Sequence, residues 1–310
     1  MKKYQNACTY KSSKKSAVTI GTFDGVHIGH KKIIERLILT AQKNNLESII
    51  LTFFPHPRMV LQKNEEIKLI NTMEERSEIL EKSGLNHLVI HPFSEEFSQL
   101  NPKEYVEQML VKYLKAAKVI IGYDHRFGKG RNADLYDLIE YGEEYGFKVE
   151  EISEQEIEDV TVSSTKIRKA LQNGEIEKAN AYLGYCFMLT GKIGKGRQIG
   201  RTLGYPTANL IIAETYKLIP KNGVYVVRSF IEETMYYGMM NIGTNPTVNG
   251  NKQTIETHFF DTDFNLYDKK IKIELLKYIR SEKKFDSIDE LKKAMSLDED
   301  FARDYISEIL

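Results

Sequence analysis

The sequence predicts an α/β domain built on a parallel sheet, followed by a small antiparallel β-barrel with a closing helix. Three observations carry that prediction. Between Ala17 and Ile152, short β-branched runs alternate with longer amphipathic stretches. From Phe187 onward, strand-like runs are separated by turn residues, and 310 residues suffice for two domains of ordinary size.

In chain order, Ala17–Ile20, Ser48–Phe54, His87–His91, Lys118–Ile121 and Phe147–Ile152 read as strands. Between them, Ile33, Ile34, Leu37, Ile38 and Ala41 recur at helical spacing. Thr72 with Glu75, and Asn101-Pro102 with Glu104, have the pattern of capped helix starts. Repeated strand–helix alternation argues a parallel sheet with right-handed crossovers, whose ligands bind beyond the strands' C-terminal ends. In the second half, Phe187–Ile193, Val224–Phe230, Met235–Ile242, Thr254–Phe260 and Ile271–Ile279 read as barrel strands, and Ser287 with Glu290 caps the closing helix. No Pro/Gly/Ser-rich linker separates the halves. The boundary falls after the helical stretch GEIEKANAYLG, giving domains of residues 1–184 and 185–310.

Composition limits the function classes. With 41% hydrophobic and 28% charged residues the chain is neither disordered nor collagenous. Lys+Arg and Asp+Glu both number 44, so no net charge draws it to nucleic acid or to an anionic membrane, and any anion site must be built locally. The basic N-terminus leads only into AVTI before GTFDG, and no run approaches the ~18 apolar residues of a membrane span. Cys8 and Cys186 lack CxxC spacing, which leaves neither a disulfide framework nor a zinc ribbon. The expectation is a cytoplasmic protein with no nucleic-acid or membrane partner, whose Lys-rich N-terminus is a solvated surface. Oligomeric state is not legible.

The motifs point to phosphate chemistry. Gly21-Thr22-Phe23-Asp24-Gly25 follows the first strand, and His27-Ile28-Gly29-His30 opens a helix. Two histidines three residues apart face the same way, beside free backbone N–H groups and the positive end of the helix dipole. Gly29 would let a nucleotide approach the backbone closely. Downstream, His56 lies between two prolines, residues 121–128 read IGYDHRFG, and residues 162–168 read VSSTKIR. Taken singly, the serines of the last segment would be an N-cap and His56 a rigid-loop residue. SSTK also fits S-x-x-K, but S-D-N and K-T-G are missing, which removes that alternative.

The second half carries its own set. Gly191, Gly194, Gly196, Gly200 and Gly204 punctuate a run with Lys192, Lys195, Arg197 and Arg201 that on composition alone is a flexible hairpin loop; its cations and backbone N–H groups could also wrap phosphates, and it is neither a Walker A motif nor GxGxxG. Pro206-Thr207-Ala208-Asn209 follows it. In TIETHFF, alternation puts Glu256, His258 and Phe260 on one strand face, where an isolated Glu is ordinarily a solvated carboxylate.

In this order, V-x-x-G-T-F-D-G-V-H-x-G-H, PHP, GYDHRFG, SSTKIR, PTAN and the Glu256 strand resemble the prokaryotic bifunctional riboflavin kinase/FAD synthetases over about residues 17–308. The resemblance implies a Rossmann-like nucleotidyltransferase domain and a riboflavin kinase-like barrel. It implies that the barrel phosphorylates riboflavin to FMN with ATP and Mg²⁺, and that the first domain adenylates FMN to FAD and releases pyrophosphate. FAD is then a product rather than a bound cofactor.

For the first domain the resemblance implies catalytic roles for His27, His30 and Arg168. Nucleotide contacts would come from Gly21, Thr22, Phe23, Asp24, Gly25, Gly29, His56, Asp124, Ser163, Ser164 and Thr165. In the barrel, Gly191, Gly194, Lys195 and Gly196 would meet ATP, and Thr207 and Asn209 would hold Mg²⁺ and the phosphates. Glu256 would be the general base, with Asn241, Arg280 and Phe285 on the flavin side. His125 stands where Phe is more usual, and neither it nor His258 has an assigned role. The chemistry is consistent: the FMN phosphate is already an anionic nucleophile, whereas the ribityl hydroxyl benefits from a base. Two rivals remain, an adenylyltransferase for another acceptor and a non-enzymatic flavin sensor. The first has no use for PTAN with Glu256, and the second would be indifferent to loss of both histidines.

Overall fold

In the computed structural model, residues 1–62, 67–123, 125–153, 162–195, 204–247, 250–262 and 265–310 are described, with the backbone alone at 245–247 and 250–252. Contacts divide the chain into two units, Met1–Ser164 and Thr165–Leu310.

Among the described residues of the first unit, strands β1 (Lys2–Tyr4), β2 (Ser16–Ile20), β3 (Glu47–Phe54), β4 (His87–Pro92), β5 (Ala116–Gly122) and β6 (Lys148–Ile152) form one sheet in the order β1-β4-β3-β2-β5-β6. Every pair is parallel. The helices of this unit are α1 (Ile28–Lys43), α2 (Pro57–Leu61), α3 (Met73–Glu81), α4 (Glu95–Ser98), α5 (Pro102–Tyr105), which widens into π-helical turns through Tyr113, and α6 (Leu135–Tyr145). Strand residues alternate between two cores, so both sheet faces are covered. Val18, Ile20, Ile49, Leu51 and Val119 pack on the side of Leu110 and α6's Leu138. Ala17, Ile50, Leu88 and Ile120 pack on the side of Ile34, Leu37 and Ala41 from α1. Both anticipated capping boxes form: Thr72 and Glu75 exchange bonds of 2.9 and 3.1 Å, and Asn101 and Glu104 two bonds of 2.9 Å.

The lysines of the N-terminus are exposed, as its reading as a solvated surface expects, but the residues between them are not all surface. Lys2–Tyr4 add a parallel edge strand to β4, and Ala7 and Tyr10 are buried in the core. Tyr10 also donates its hydroxyl to Glu47 at 2.7 Å. Spaced apolar groups between the lysines give this segment a face to bury.

Helix α7 (Ser164–Asn173) begins where the units divide and is followed by α8 (Ile176–Leu183). Strands β7 (Met188–Gly194), β8 (Ala208–Ile211), β9 (Gly223–Ile231), β10 (Thr234–Thr247), β11 (Gly250–Phe259) and β12 (Lys270–Arg280) close an antiparallel barrel in the order β10-β11-β8-β7-β12-β9. The short β8 was not read as a barrel strand because it is only four residues long and its first two belong to the PTAN segment. Val224, Val226, Met239 and Leu276 pack under Ala302 and Ile306 of α9 (Ile288–Ile309), while their neighbours Tyr225, Val227, Met240 and Leu275 are buried within the barrel. Ser287 accepts from the Glu290 N–H at 3.2 Å as anticipated, whereas the Glu290 carboxylate accepts from Asp286 rather than completing a box.

The division by contacts comes earlier than the boundary after Gly184 read from the sequence. Helices α7 and α8 are fastened to the barrel: Lys221 N–H donates to the Leu171 carbonyl at 3.0 Å, and Asn180 bonds both Leu275 and Phe187, at 2.9 and 2.7 Å. Among the described residues no helix is long and apolar enough to cross a membrane.

Candidate active sites

Strand order locates the first site. The chain runs from β2 through β3 to β4 on one side, then places β5 against the other side of β2, so the sheet has its switch point there. The loops leaving β2, β3 and β5, which begin GTFDG, PHP and YDHRFG, therefore emerge side by side at one sheet edge.

The first of these loops is strained. Phe23, Gly25 and Val26 have φ of 48°, 86° and 35°. Gly25 adopts this freely, but a bulky or β-branched residue there costs roughly 1–3 kcal/mol and needs outside support. Arg76 of α3 supplies it from below. Its guanidinium, 1% exposed, lies 3.2 Å from the equally buried Asp24 carboxylate and donates to the Thr22 carbonyl at 2.6 Å. Asp24 also accepts from the backbone N–H groups of Ile70 and Asn71 at 3.0 and 3.3 Å, and its carbonyl accepts from the Ser164 hydroxyl at 2.8 Å. Asp24 thus shapes the loop. The sequence reading missed Arg76, since MEERSEILE looks like a solvated charged helix; the one signal was the capping box that fixes its first turn.

His27 is the N-cap of α1. Its Nδ1 accepts from the His30 N–H at 3.3 Å, which leaves the ring proton on Nε2. The two imidazoles stack with centroids 3.7 Å apart, and Phe23 packs on His30 at 5.1 Å. Burial pushes His27 down to about 4 against the opposing pull of Asp24. Burial, then His27 and Arg76, hold His30 well below the usual histidine range. Both rings are neutral at pH 7, so each offers an N–H rather than a full charge. His30 Nδ1 is buried without a partner among the described residues. Gly29 is buried in the first helical turn, and Gly21 and Thr22 are half-buried at the loop's entrance.

The other predicted residues are distributed as follows. His56 is the buried N-cap of α2, its Nδ1 accepting from the Arg58 N–H at 3.1 Å. His125 stacks on Phe127 with centroids 6.1 Å apart. Asp124 lies outside the described residues. Ser163 is exposed, Ser164 opens α7, and Thr165 and Arg168 follow on that helix beyond the division of the units.

The second site is a lateral row across the barrel. Gly194 of β7 pairs with Asn209 of β8, Asn209 with Glu256 of β11, and Glu256 with Asn241 of β10. Register partners share a face, so these residues converge. Alternation buries Ile255, Thr257 and Phe259 and leaves Glu256 and His258 on the half-buried face. Thr207 Oγ1 donates to Glu256 Oε2 at 3.3 Å, joining the PTAN segment to the row.

Of two predicted glycines, Gly191 is demanded by packing against backbone, while Gly194 faces only the movable tip of the exposed Ile211 side chain. A Cβ on Gly191 would lie 2.5 Å from the Ile211 carbonyl oxygen, and one on Gly194 would lie 2.3 Å from Ile211 Cδ1. Lys195 is exposed at the end of β7, and Gly196 lies outside the described residues. Of the residues expected on the flavin side, Arg280 forks onto Asp298 of α9 with bonds of 2.8 and 2.7 Å and lies 5.6 Å from the Phe285 ring centroid. Arg280 and Phe285 are thus together, with Asp298 a partner the sequence did not reveal.

The chain matches two family models, FAD synthetase over residues 9–166 and riboflavin kinase over residues 183–306. It is 36% identical over 301 residues to the bifunctional riboflavin kinase/FMN adenylyltransferase of Buchnera aphidicola subsp. Schizaphis graminum, covering 96% of each chain. It is 36% identical over 302 residues to the Bacillus subtilis protein of the same name, covering 95% of this chain and 94% of that one. The Escherichia coli K12 protein of that name is 34% identical over 289 residues, covering 93% and 92%. A crystal structure from Streptococcus pneumoniae described as a macrolide-efflux protein superposes with a TM-score of 0.86 at 29% identity, covering 97% of this chain and 98% of that one.

Proposed function

The chain belongs to the bifunctional riboflavin kinase/FMN adenylyltransferases, and on that premise we propose which residues carry its two reactions. The C-terminal domain phosphorylates riboflavin to FMN with ATP, and the N-terminal domain adenylates FMN to FAD. The observation that carries the residue assignment is the lateral row Gly194–Asn209–Glu256–Asn241, with Thr207 bonded to its carboxylate.

In the kinase reaction Glu256 takes the proton of the riboflavin 5′-hydroxyl as that oxygen attacks the γ-phosphorus of ATP and ADP leaves. Asn241 lies beside Glu256 to orient the ribityl chain, and Arg280 with Phe285 lines the flavin side. The hydroxyl, amide and carboxylate oxygens gathered here are hard donors and fit Mg²⁺, which Thr207 and Asn209 would hold; once bound, the ion would offset phosphate charge.

In the adenylyl transfer a phosphate oxygen of FMN attacks the α-phosphorus of ATP and pyrophosphate leaves, with no proton to remove. His27 and His30 donate to the phosphates from the start of α1, and the strained Gly21–Gly25 loop, held in shape by Asp24, receives the nucleotide. Gly29, His56, Asp124, Ser163, Ser164, Thr165 and the catalytic Arg168 are assigned to the same reaction by motif. The functional domains are taken as residues 1–184 and 185–310, and the reactions as cytoplasmic, where ATP is supplied.

A chromatographic time course with riboflavin, ATP and Mg²⁺, beside one started from FMN, tests both halves. FMN is expected to rise before FAD in the first run, and FAD with pyrophosphate to form in the second. A silent second run would overturn the adenylyl assignment.

A further inference from the structure

One group beside the kinase row has no role in the chemistry above. His258 lies two residues along β11 from Glu256, on the same face, and its Nδ1 is 2.8 Å from the Pro206 carbonyl oxygen. A carbonyl can only accept, so the ring proton rests on Nδ1. The ring is flanked edge-on by Tyr205 at 5.1 Å and by Phe260 at 5.8 Å. Among the described residues β8 meets β11 at two register pairs, Ala208 with Thr257 and Asn209 with Glu256. Thr207 lies just outside that ladder. Beyond the ladder the 3.3 Å bond from Thr207 to Glu256 comes first, and the His258 bond to Pro206 is the fastening after it, so Thr207 is held between the ladder and the tether.

We infer that His258 is a positioning residue for the nucleotide side of the kinase reaction, its Nδ1–H tether to Pro206 fixing where Thr207 and Asn209 meet MgATP. The inference rests on the assignment of Thr207 and Asn209 to the ATP side. The tether touches no reacting atom, so its loss acts on nucleotide binding more than on the chemical step.

The test is steady-state kinetics of the full chain carrying His258→Phe or His258→Asn. Phe keeps an aromatic ring between Tyr205 and Phe260 but removes the donor; Asn places an N–H at the same bond separation from Cβ as Nδ1. His258→Phe is expected to raise the KM for MgATP in riboflavin phosphorylation by about 3- to 10-fold, the worth of one hydrogen bond, with kcat changed less. His258→Asn is expected to restore it to within about twofold, and FMN adenylylation is expected to be unchanged in both. A merely structural role would lower the melting temperature and the active fraction without moving KM. Should the Phe variant not fold, His258→Gln, which displaces the donor by one methylene, takes its place with the same expected rise. An unmoved KM, or an equal rise in the Asn variant, overturns the tether. Thr207→Val and Asn209→Ala separate the two failures. If both leave phosphorylation intact, the ATP-side assignment falls and the tether with it; if both abolish it while KM ignores the His258 changes, only the tether falls.

Discussion

On the assignment proposed above, the two sites handle phosphorus with opposite architectures. At the edge of the parallel sheet, the groups come from a loop with three positive φ values and from a helix start, held by the buried Asp24–Arg76 pair. On the barrel, they come from strand register, which lays Asn209, Glu256 and Asn241 side by side without special backbone geometry. The nucleophiles explain the difference. An FMN phosphate needs no base, so the carboxylate at the first site is free to serve structure, whereas a riboflavin hydroxyl needs one, and the second site keeps Glu256 half-buried beside a hydroxyl donor.

The comparison breaks most visibly if the histidines are removed. His27→Ala with His30→Ala is expected to cut FAD formation from FMN by about 10³-fold or more, from the loss of two charge-stabilising donors, while FMN formation from riboflavin continues. Loss of both activities in a folded protein would mean the two architectures are not separate.

A smaller effect is expected on stability. Arg76→Met removes the guanidinium from the buried Asp24 carboxylate, and should cost the first unit about 3–5 kcal/mol in denaturant unfolding. Among the described residues the barrel has no comparable buried pair beneath its proposed row, so the kinase reaction should tolerate the change wherever the chain stays folded.

The smallest expected effect sharpens the electrostatics. His27, held down to about 4 in the folded protein against an ordinary 6.5, favours the native state while neutral. The unfolded chain takes up the proton first. Its stabilising contribution is therefore complete above 6.5 and is lost as the pH falls from there toward 4. An NMR titration should give the His27 ring a midpoint near 4, and a midpoint near 6.5 would contradict the burial.

Legibility followed the range of the interactions. The β-branched runs announced ten of the strands because alternation is local, and Thr72–Glu75 and Asn101–Glu104 capped their helices as their spacing required. The edge strand Lys2–Tyr4 was hidden by its lysines, and β8 by its shortness and its overlap with the PTAN motif. Arg76 and Asp298 were invisible because each matters through a partner distant in sequence, Asp24 and Arg280. That α7 and α8 pack with the barrel was not visible for a similar reason: both are ordinary amphipathic helices until Lys221 and Leu275 are seen to fasten them.

The most direct test of two separate sites uses Glu256→Gln, which keeps size and removes the base. Started from FMN, this variant should form FAD at the wild-type rate, and started from riboflavin it should lose FMN formation by about 10²- to 10⁴-fold. Equal loss of both reactions, with an unchanged melting temperature, would contradict the assignment.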